Sequence, residues 1–214
     1  MSLLSRVFTT WIYLMEKELS TLNPCPSRQT VAETLPEHFR KFNNIRFIID
    51  CTELFIERAS CFTAQNQTFS SYKHHTTVKF FISITPTGEV NFVSQAWGGK
   101  VSDRYVTENC GFLDLVNEGD LVLADKGFNI GDLLARRQAF LNIPPFLYNR
   151  QFTEAEISST RKIAKVRIHV ERAIGRVKQF HILDPVIPLS LKNVIGPIFR
   201  VCCFLTNLDK PLVK

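Results

Sequence analysis

The most strand-like stretch of the chain runs from Ile45 to Glu57 and reads Ile-Arg-Phe-Ile-Ile-Asp-Cys-Thr-Glu-Leu-Phe-Ile-Glu. Apolar residues occupy both alternating positions over several residues, which predicts a central strand buried on both faces. Asp50 lies inside this run, and an ionised carboxylate is costly to bury without a partner. It therefore needs a metal ion, a cation or a raised pKa. The alternative, a loop-capping acid at a strand end, fits less well because apolar residues continue to Ile56.

A second carboxylate, Asp125, ends the short apolar run Leu121–Ala124 and is followed by Lys126-Gly127. An acid at the tip of a short central strand is a frequent arrangement at functional sites. A turn acid paired with Lys126 would give the same pattern. The other elements predicted around it are strands over Thr76–Ile84, Val90–Ser94 and Ala139–Ile143, and helices from Ser102 or Asp103 to about Leu115 and over Ile130–Gln138. Residues 58–76 are polar and predict a loop.

The residues before the first strand carry helix signals. Apolar side chains recur on one face of residues 3–19, so a helix there needs a partner surface. Asn23-Pro-Cys-Pro interrupts it, after which Ser27 or Thr30 is expected to cap a short helix around Val31–Leu35. Residues 36–42 predict another helical turn. We interpret residues 1–43 as an N-terminal helical segment and residues 44–211 as the main domain.

A basic amphipathic helix is predicted over Lys162–Phe180, entered through a Thr153-x-x-Glu156 capping box. Glu171 is the only acid between Glu156 and Asp184 and falls beside the apolar stripe of this helix, one turn after Arg167. An ordinary Arg167–Glu171 pair, worth a few tenths of a kcal/mol, would also explain it. The basic residues are Arg161, Lys162, Lys165, Arg167, Arg172, Arg176 and Lys178. A terminal helix over Ser190–Leu208, bent near Pro197, follows.

The composition is that of a folded, mildly basic protein. Its 214 residues are 45% hydrophobic and 21% charged, and the net charge of +6 favours a polyanionic partner. The six cysteines form no Cys-x-x-Cys pair, so we expect reduced, buried thiols of an intracellular protein. The adjacent His74 and His75 suggest a metal site, but a structural role in the loop is the simpler reading. No signal peptide or membrane-spanning segment is predicted, and we expect no membrane partner.

The predicted order of elements gives a mixed α/β sheet with helices on its faces. In this layout Asp50 and Asp125 lie on neighbouring central strands, and Glu171 reaches in from a packed helix. Three acids together would repel one another. They can share divalent ions, because Mg²⁺ prefers carboxylate oxygens. Two ions about 4 Å apart can support an in-line phosphoryl displacement.

Five motifs in order carry a family resemblance: Ile48-Ile-Asp-Cys-Thr-Glu, Gly98-Gly-Lys-Val-Ser-Asp, Leu123-Ala-Asp-Lys-Gly-Phe, Leu141-Asn-Ile-Pro-Pro-Phe and Ile168-His-Val-Glu-Arg-Ala-Ile-Gly-Arg. Together they resemble the DDE nuclease domain of PIF/Harbinger-type transposases, over about Asn44 to Pro211. The resemblance implies an RNase H-like fold and DNA strand cleavage and transfer with Mg²⁺ or Mn²⁺, two ions being expected.

By motif, the resemblance assigns catalysis and metal binding to Asp50, Asp125 and Glu171. Asp103 lies in another family motif, and we expect it to cap a helix and to support the site from behind the metal-binding acids. The residues expected to contact DNA phosphates are Lys73, Arg167, Arg172, Arg176 and Lys178. Nuclear localisation follows from the resemblance and the substrate, with the cytoplasm as the alternative.

Family members usually carry an N-terminal DNA-binding part, and residues 1–43 show neither a helix-turn-helix nor a zinc-binding pattern. A separate DNA-binding partner protein is therefore one expectation, and a homo-oligomer is another. Two rival functions stay open. One is a catalytically inactive module of the same fold that binds DNA or protein, and the other is an RNA-directed nuclease.

Overall fold

A mixed β-sheet runs through the structure, a computed structural model that describes residues 2–125, 127–143 and 168–212. Among these residues the sheet has seven strands. They are β1 (Ile45–Phe55), β2 (Phe69–Ser70), β3 (His75–Ile84), β4 (Val90–Val93), β5 (Trp97–Gly98), β6 (Leu121–Leu123) and β7 (Phe140–Asn142). The mixed α/β class predicted from the sequence is confirmed.

The predicted strand β1 lies at the centre of the sheet. It pairs antiparallel with β3 on one side and parallel with β6 on the other, and β6 continues to β7 in parallel. The short strands β2, β4 and β5 all pair with β3. Because β1 has a partner on each side, its backbone is satisfied within the sheet and its apolar side chains can be buried on both faces.

The helices of the described residues cover the two faces of this sheet. They are α1 (Leu3–Leu22), α2 (Arg28–Glu33), α3 (Phe62–Thr68), α4 (Asp103–Asn109), α5 (Gly131–Ala135), α6 (helical over 168–177) and α7 (Ile195–Thr206). One core contains Ile48 and Leu54 of β1 together with apolar residues of α1, α6 and α7. The other contains Phe47 and Ile49 together with residues of α4 and α5. Alternate residues of β1 thus face different helices.

The predicted partner surface of the N-terminal helix is α7. Ile12 of α1 is buried in the same core as Phe199 of α7, and Glu16 forms an ion pair with Arg200. The hydroxyl of Tyr13 donates a hydrogen bond to the carbonyl of Asn193 at 3.2 Å. None of the described helices is both long and apolar enough to cross a membrane.

Several predicted boundaries were wrong. The polar stretch 58–76, predicted as a loop, contains α3 and β2. The prediction missed α3 because this helix has no buried residue and shows no apolar stripe in the sequence. The helix after Ser102 ends at Asn109, and Gly111 takes a φ of 85° before a short 3-10 turn. The terminal helix predicted over Ser190–Leu208 begins at Ile195 and ends at Thr206. Pro197 lies in its first turn, where the amide hydrogen that proline lacks has no helical partner.

The cysteine prediction holds in part. All six thiols are free, and Cys202 and Cys203 are buried. Cys61, however, is exposed beside the start of α3, because the segment predicted as a loop is a surface helix. The capping box at Thr153 and Glu156 lies outside the described residues.

The Gly98-Gly99 motif brings β5 close to α3 and β3. A Cβ atom on Gly99 would lie 1.9 Å from Oγ1 of Thr77 and 2.8 Å from the backbone oxygen of Thr68. A methyl group there must displace backbone. We therefore expect Gly99→Ala to lower the free energy of unfolding by about 1–3 kcal/mol, measured by urea denaturation.

Gly175→Ala is the matched control for this prediction. A Cβ atom on Gly175 would meet no atom within 4 Å among the described residues. Alanine also favours a helix over glycine, so this variant should unfold at equal or higher urea concentration. A Gly99→Ala variant as stable as wild type would mean that β5 can move away from α3 at little cost.

Candidate active site

Asp50, inside β1, and Asp125, two residues beyond the end of β6, come from adjacent parallel strands. The register pairs Ile48 of β1 with Leu123 of β6, and each aspartate follows two residues later. Each aspartate is two residues after one member of the Ile48–Leu123 pair, so the two aspartates occupy matching positions relative to the register of the strands. Neighbouring strands are about 4.8 Å apart. The structure therefore brings these two predicted acids to the same part of the sheet.

Both aspartates line one cavity of about 460 Å³, which we call the central cavity. The backbone amide of Cys51 donates a 2.8 Å hydrogen bond to Oδ1 of Asp50. Burial, with a smaller effect from Asp103, raises the pKa of the Cys51 thiol well above its usual value, so the thiol stays protonated at neutral pH. The acids that line the cavity are Asp50, Glu53, Asp103 and Asp125, and the cations are Lys73, Lys79 and Lys178.

Sequence reasoning missed Glu53 and Lys79 as members of this site. Lys79 lies on β3 opposite Glu53 in the β1–β3 register, and its Nζ is 2.8 Å from Oδ1 of Asp103 and 3.6 Å from Oε1 of Glu53. Oε2 of Glu53 accepts a hydrogen bond from Thr77 at 2.8 Å. A lysine inside the apolar run of β3 was the signal available in the sequence, because a charge is rarely buried without a partner.

Asp103 does not cap α4, although the sequence predicted this role. The side chain of Ser102 caps α4, and Asp103 is the first residue of the helix. Burial opposes the charge on Lys79, but its hydrogen bond to Asp103 and the charges of Asp103 and Glu53 raise its pKa overall. Lys79 therefore remains a cation that offsets part of the negative charge in the cavity.

Lys178 enters the cavity from the end of α6. Its Nζ donates a hydrogen bond to the backbone oxygen of Glu53 at 2.9 Å. Partial burial of the ammonium group and the charge of Lys73 lower the pKa of Lys178, while Glu53 and Asp50 act in the opposite direction. Two lysines thus lie close enough to repel each other, which an anion bound between them would relieve.

Glu171 lies on α6, two turns before Lys178. The helix is fixed by the buried side chains of Val170, Ala173 and Val177 on the core face that also holds Ile48. Glu171 is exposed, and it is not among the described residues that line the central cavity. Within the described parts of the chain, no three His, Cys, Asp or Glu side chains are arranged to hold a metal ion. The catalytic role of Glu171 stays a prediction.

The predicted phosphate contacts are distributed between the cavity and the helix surface. Lys73 and Lys178 line the cavity, and Arg172 is exposed on α6. Arg176 donates a 2.8 Å hydrogen bond to the carbonyl of Lys210. Arg167 lies outside the described residues. The two histidines of the 58–76 stretch do not enter the central cavity as the structure describes it, and line a separate groove with Phe62.

Carboxylates on adjacent strands of a mixed sheet, with lysines around them, define a site of the kind that phosphoryl-transfer enzymes use. The sequence model of the DDE superfamily endonuclease family matches residues 49–207, most of the chain, and the chain belongs to this family. The match contains Asp50, Asp125 and Glu171. Comparisons with curated proteins and with solved structures found no match.

Proposed function

We propose that this protein is a metal-dependent DNA endonuclease of the transposase class, of the PIF/Harbinger type and with an RNase H-like fold. The observation that carries the proposal is that Asp50 of β1 and Asp125, just beyond the end of the adjacent parallel strand β6, line one cavity. Membership of the DDE superfamily endonuclease family supports it. The substrate is DNA, in line with the net charge of +6.

Divalent metal ions are the cofactors that this donor set fits. The cavity offers carboxylate oxygens from two strands, the ligand type that Mg²⁺ and Mn²⁺ prefer, and DDE endonuclease domains generally use divalent metals. Asp50 and Asp125 would hold the ions, and Glu171 would complete the set. Two ions bound there would activate an attacking water or 3′-hydroxyl and stabilise the leaving oxygen.

The protein's own cations would place the DNA strand. Lys73 and Lys178 border the acids and are suited to bind the two phosphates that flank the reacting one. Lys79 does not need to touch DNA, because Asp103 and Glu53 already hold it. Its positive charge would offset that of the two carboxylates, so that they repel the nearby carboxylates of Asp50 and Asp125 less.

Metal binding separates this proposal from its rival, an inactive module of the same fold. The observation that favours the rival is the exposed position of Glu171, outside the described cavity lining. We expect Mn²⁺ to bind the wild-type chain, and Asp50→Ala to weaken that binding by more than about 100-fold, since residues that only support a metal ligand are worth about 10–100-fold. Isothermal titration calorimetry, with and without a short DNA duplex, measures this.

Asp114→Ala is the control for the calorimetry, because Asp114 is exposed and paired with Arg137 away from the cavity. It should leave the affinity for Mn²⁺ unchanged. If titration of Mn²⁺ gives the same heats with wild type and with Asp50→Ala, the result would favour the rival. The rival predicts salt-dependent DNA binding with no effect of Mg²⁺ or Mn²⁺. Cleavage of matched DNA and RNA strands separates the DNA nuclease from an RNA-directed one.

The wider assignments rest on the family and the proposed substrate. We propose that the protein acts in the nucleus. A separate DNA-binding partner would supply sequence recognition, and association of two copies would allow both ends of a DNA segment to be cut. Cross-linking with and without DNA tests the second of these.

A further inference from the structure

A second cavity, a groove of about 470 Å³, lies next to the central cavity and has no part in the proposed cleavage. We call it the α3 groove, because α3 and the β2–β3 hairpin form it. The hairpin turn joins the two cavities: Tyr72 and Lys73 line the central cavity, while His74 and His75 line the groove. A DNA strand that leaves the central cavity across this turn would enter the groove.

Aromatic side chains dominate this part of the surface. Tyr72 is 82% exposed and Phe62 is 81% exposed, the two highest values among the large hydrophobic side chains that the structure describes as exposed. Phe69, also in the groove, is 45% exposed. Leaving this much apolar area in water costs about 25 cal/mol per Å². Clustered exposure of this kind is typical of a binding surface.

Two cations, Arg58 and Lys73, border these rings. Arg58, His74 and His75 line the groove, and its described lining contains neither Asp nor Glu. The guanidinium of Arg58 donates a 2.8 Å hydrogen bond to Oε1 of Gln65, whose amide group donates in turn to the carbonyl of Ala59 at 2.7 Å. Arg58 is thus held on the groove by α3. Nζ of Lys73 lies 4.8 Å from the centre of the Tyr72 ring.

Exposed aromatic rings beside cations are suited to unpaired nucleotides. Within a duplex the faces of the bases are covered by their neighbours, so a protein ring cannot stack on them. On a single strand each base offers a face for stacking, and the cations meet the phosphates. A peptide could use the aromatic rings, but it would not by itself require the positive lining that continues into the lysines of the central cavity.

We propose that the α3 groove binds unpaired nucleotides of the DNA strand whose phosphate is held at the central cavity, with Phe62 of the groove stacking on a base and Tyr72 of the adjoining hairpin turn available to stack on the next. This inference rests on the proposed function, because it assumes that DNA occupies the central cavity. It adds a specificity to that function: the protein prefers DNA that carries a single-stranded extension, such as an end that has been cut or opened.

Fluorescence anisotropy with the full-length chain in EDTA tests this proposal without any need for cleavage. The probes are a blunt DNA duplex, the same duplex with a single-stranded DNA extension, and the same duplex with an RNA extension. We expect wild type to bind the DNA extension more tightly than the blunt duplex. Phe62→Ala should weaken binding to the extension by about 5- to 160-fold, the loss of one base–aromatic stack, with little effect on the blunt duplex.

Phe140→Ala is the matched control. Phe140 is 64% exposed but lies on β7, at the opposite end of the sheet from β2. It should bind all three probes as wild type does. Phe62 is largely exposed, so its replacement should not impair folding, which a thermal melt checks. A 2-aminopurine base in the extension should be quenched by wild type and by Phe62→Tyr, but much less by Phe62→Leu.

The outcomes distinguish the groove from the nuclease. Equal affinity of wild type for blunt and extended duplexes, or unchanged binding of the extension by Phe62→Ala, would overturn the groove proposal even if wild type cuts DNA. Tighter binding of the RNA extension than of the DNA extension would overturn the assignment to DNA. If Phe62→Ala selectively loses the extension while Asp125→Asn cuts as wild type does, the groove stands and the proposed acidic site is wrong.

Discussion

Asp125→Asn is expected to remove Mn²⁺-dependent cleavage of supercoiled plasmid DNA. Asparagine keeps the size of the side chain and one oxygen ligand but removes the negative charge that a divalent ion needs. A residue that only supports a metal ligand contributes about 10–100-fold, so the loss of a ligand should lower the cleavage rate by more than about 100-fold. Asp125 lies just beyond the end of β6 and lines the same cavity as Asp50 of β1, so this effect requires no change elsewhere in the fold.

DNA binding by the same variant should be unchanged or tighter. The central cavity contains four carboxylates, and the removal of one negative charge reduces their repulsion of phosphate. Anisotropy in EDTA measures this binding. Asp114→Asn is the control, because its side chain is 76% exposed and contacts Arg137 rather than the cavity. If Asp125→Asn cuts plasmid at the wild-type rate, the proposed site is incorrect.

The second large effect is expected on stability, at Asp120. This carboxylate is fully buried at 0% exposure, and it binds two arginines. Oδ1 accepts hydrogen bonds from Arg28 at 2.7 and 3.0 Å, and Oδ2 accepts from Arg46 at 2.9 Å and from the backbone amide of Asn117 at 2.8 Å. The network attaches α2 and the start of β1 to the turn before β6.

Asp120→Ala would leave the buried guanidinium of Arg46 without its counter-ion. Breaking a buried pair by removing one partner costs about 3–5 kcal/mol. For a chain of this size that corresponds to a fall in Tm of roughly 6–20 °C. Differential scanning calorimetry and urea unfolding measure the change, with Asp114→Ala as an exposed-pair control that should cost less than about 1 kcal/mol.

If the Tm of Asp120→Ala lies within about 2 °C of the Tm of the Asp114→Ala control, this explanation is wrong. That result would mean that the carbonyls of Pro26 and Leu115, which also accept hydrogen bonds from Arg46, are enough to hold the guanidinium. Arg46→Met combined with Asp120→Ala then separates charge from packing. If the uncompensated charge is the cause, the double variant recovers part of the stability that the single variant loses.

The local elements that position the acids were predictable from the sequence. Continuous apolar runs identified β1 and β6, and the positions of Asp50 inside β1 and of Asp125 after β6 followed from the same patterns. These features depend on neighbours within a few residues, where periodicity and turn chemistry act directly. The helix α3 was missed because it buries none of its side chains, so the polar pattern of 58–76 contained no stripe to detect.

The sequence by itself determined that a central strand would carry Asp50, that a second strand would end shortly before Asp125, and that both strands would belong to a mixed sheet. Only the tertiary structure decided the register of β1 against β6, the pairing of Lys79 with Glu53 and Asp103, and the two arginines on Asp120. The physical reason is distance along the chain. Arg28 and Asp120 are 92 positions apart, and which distant side chains meet is set by the packing of whole helices on the sheet, which no local pattern contains.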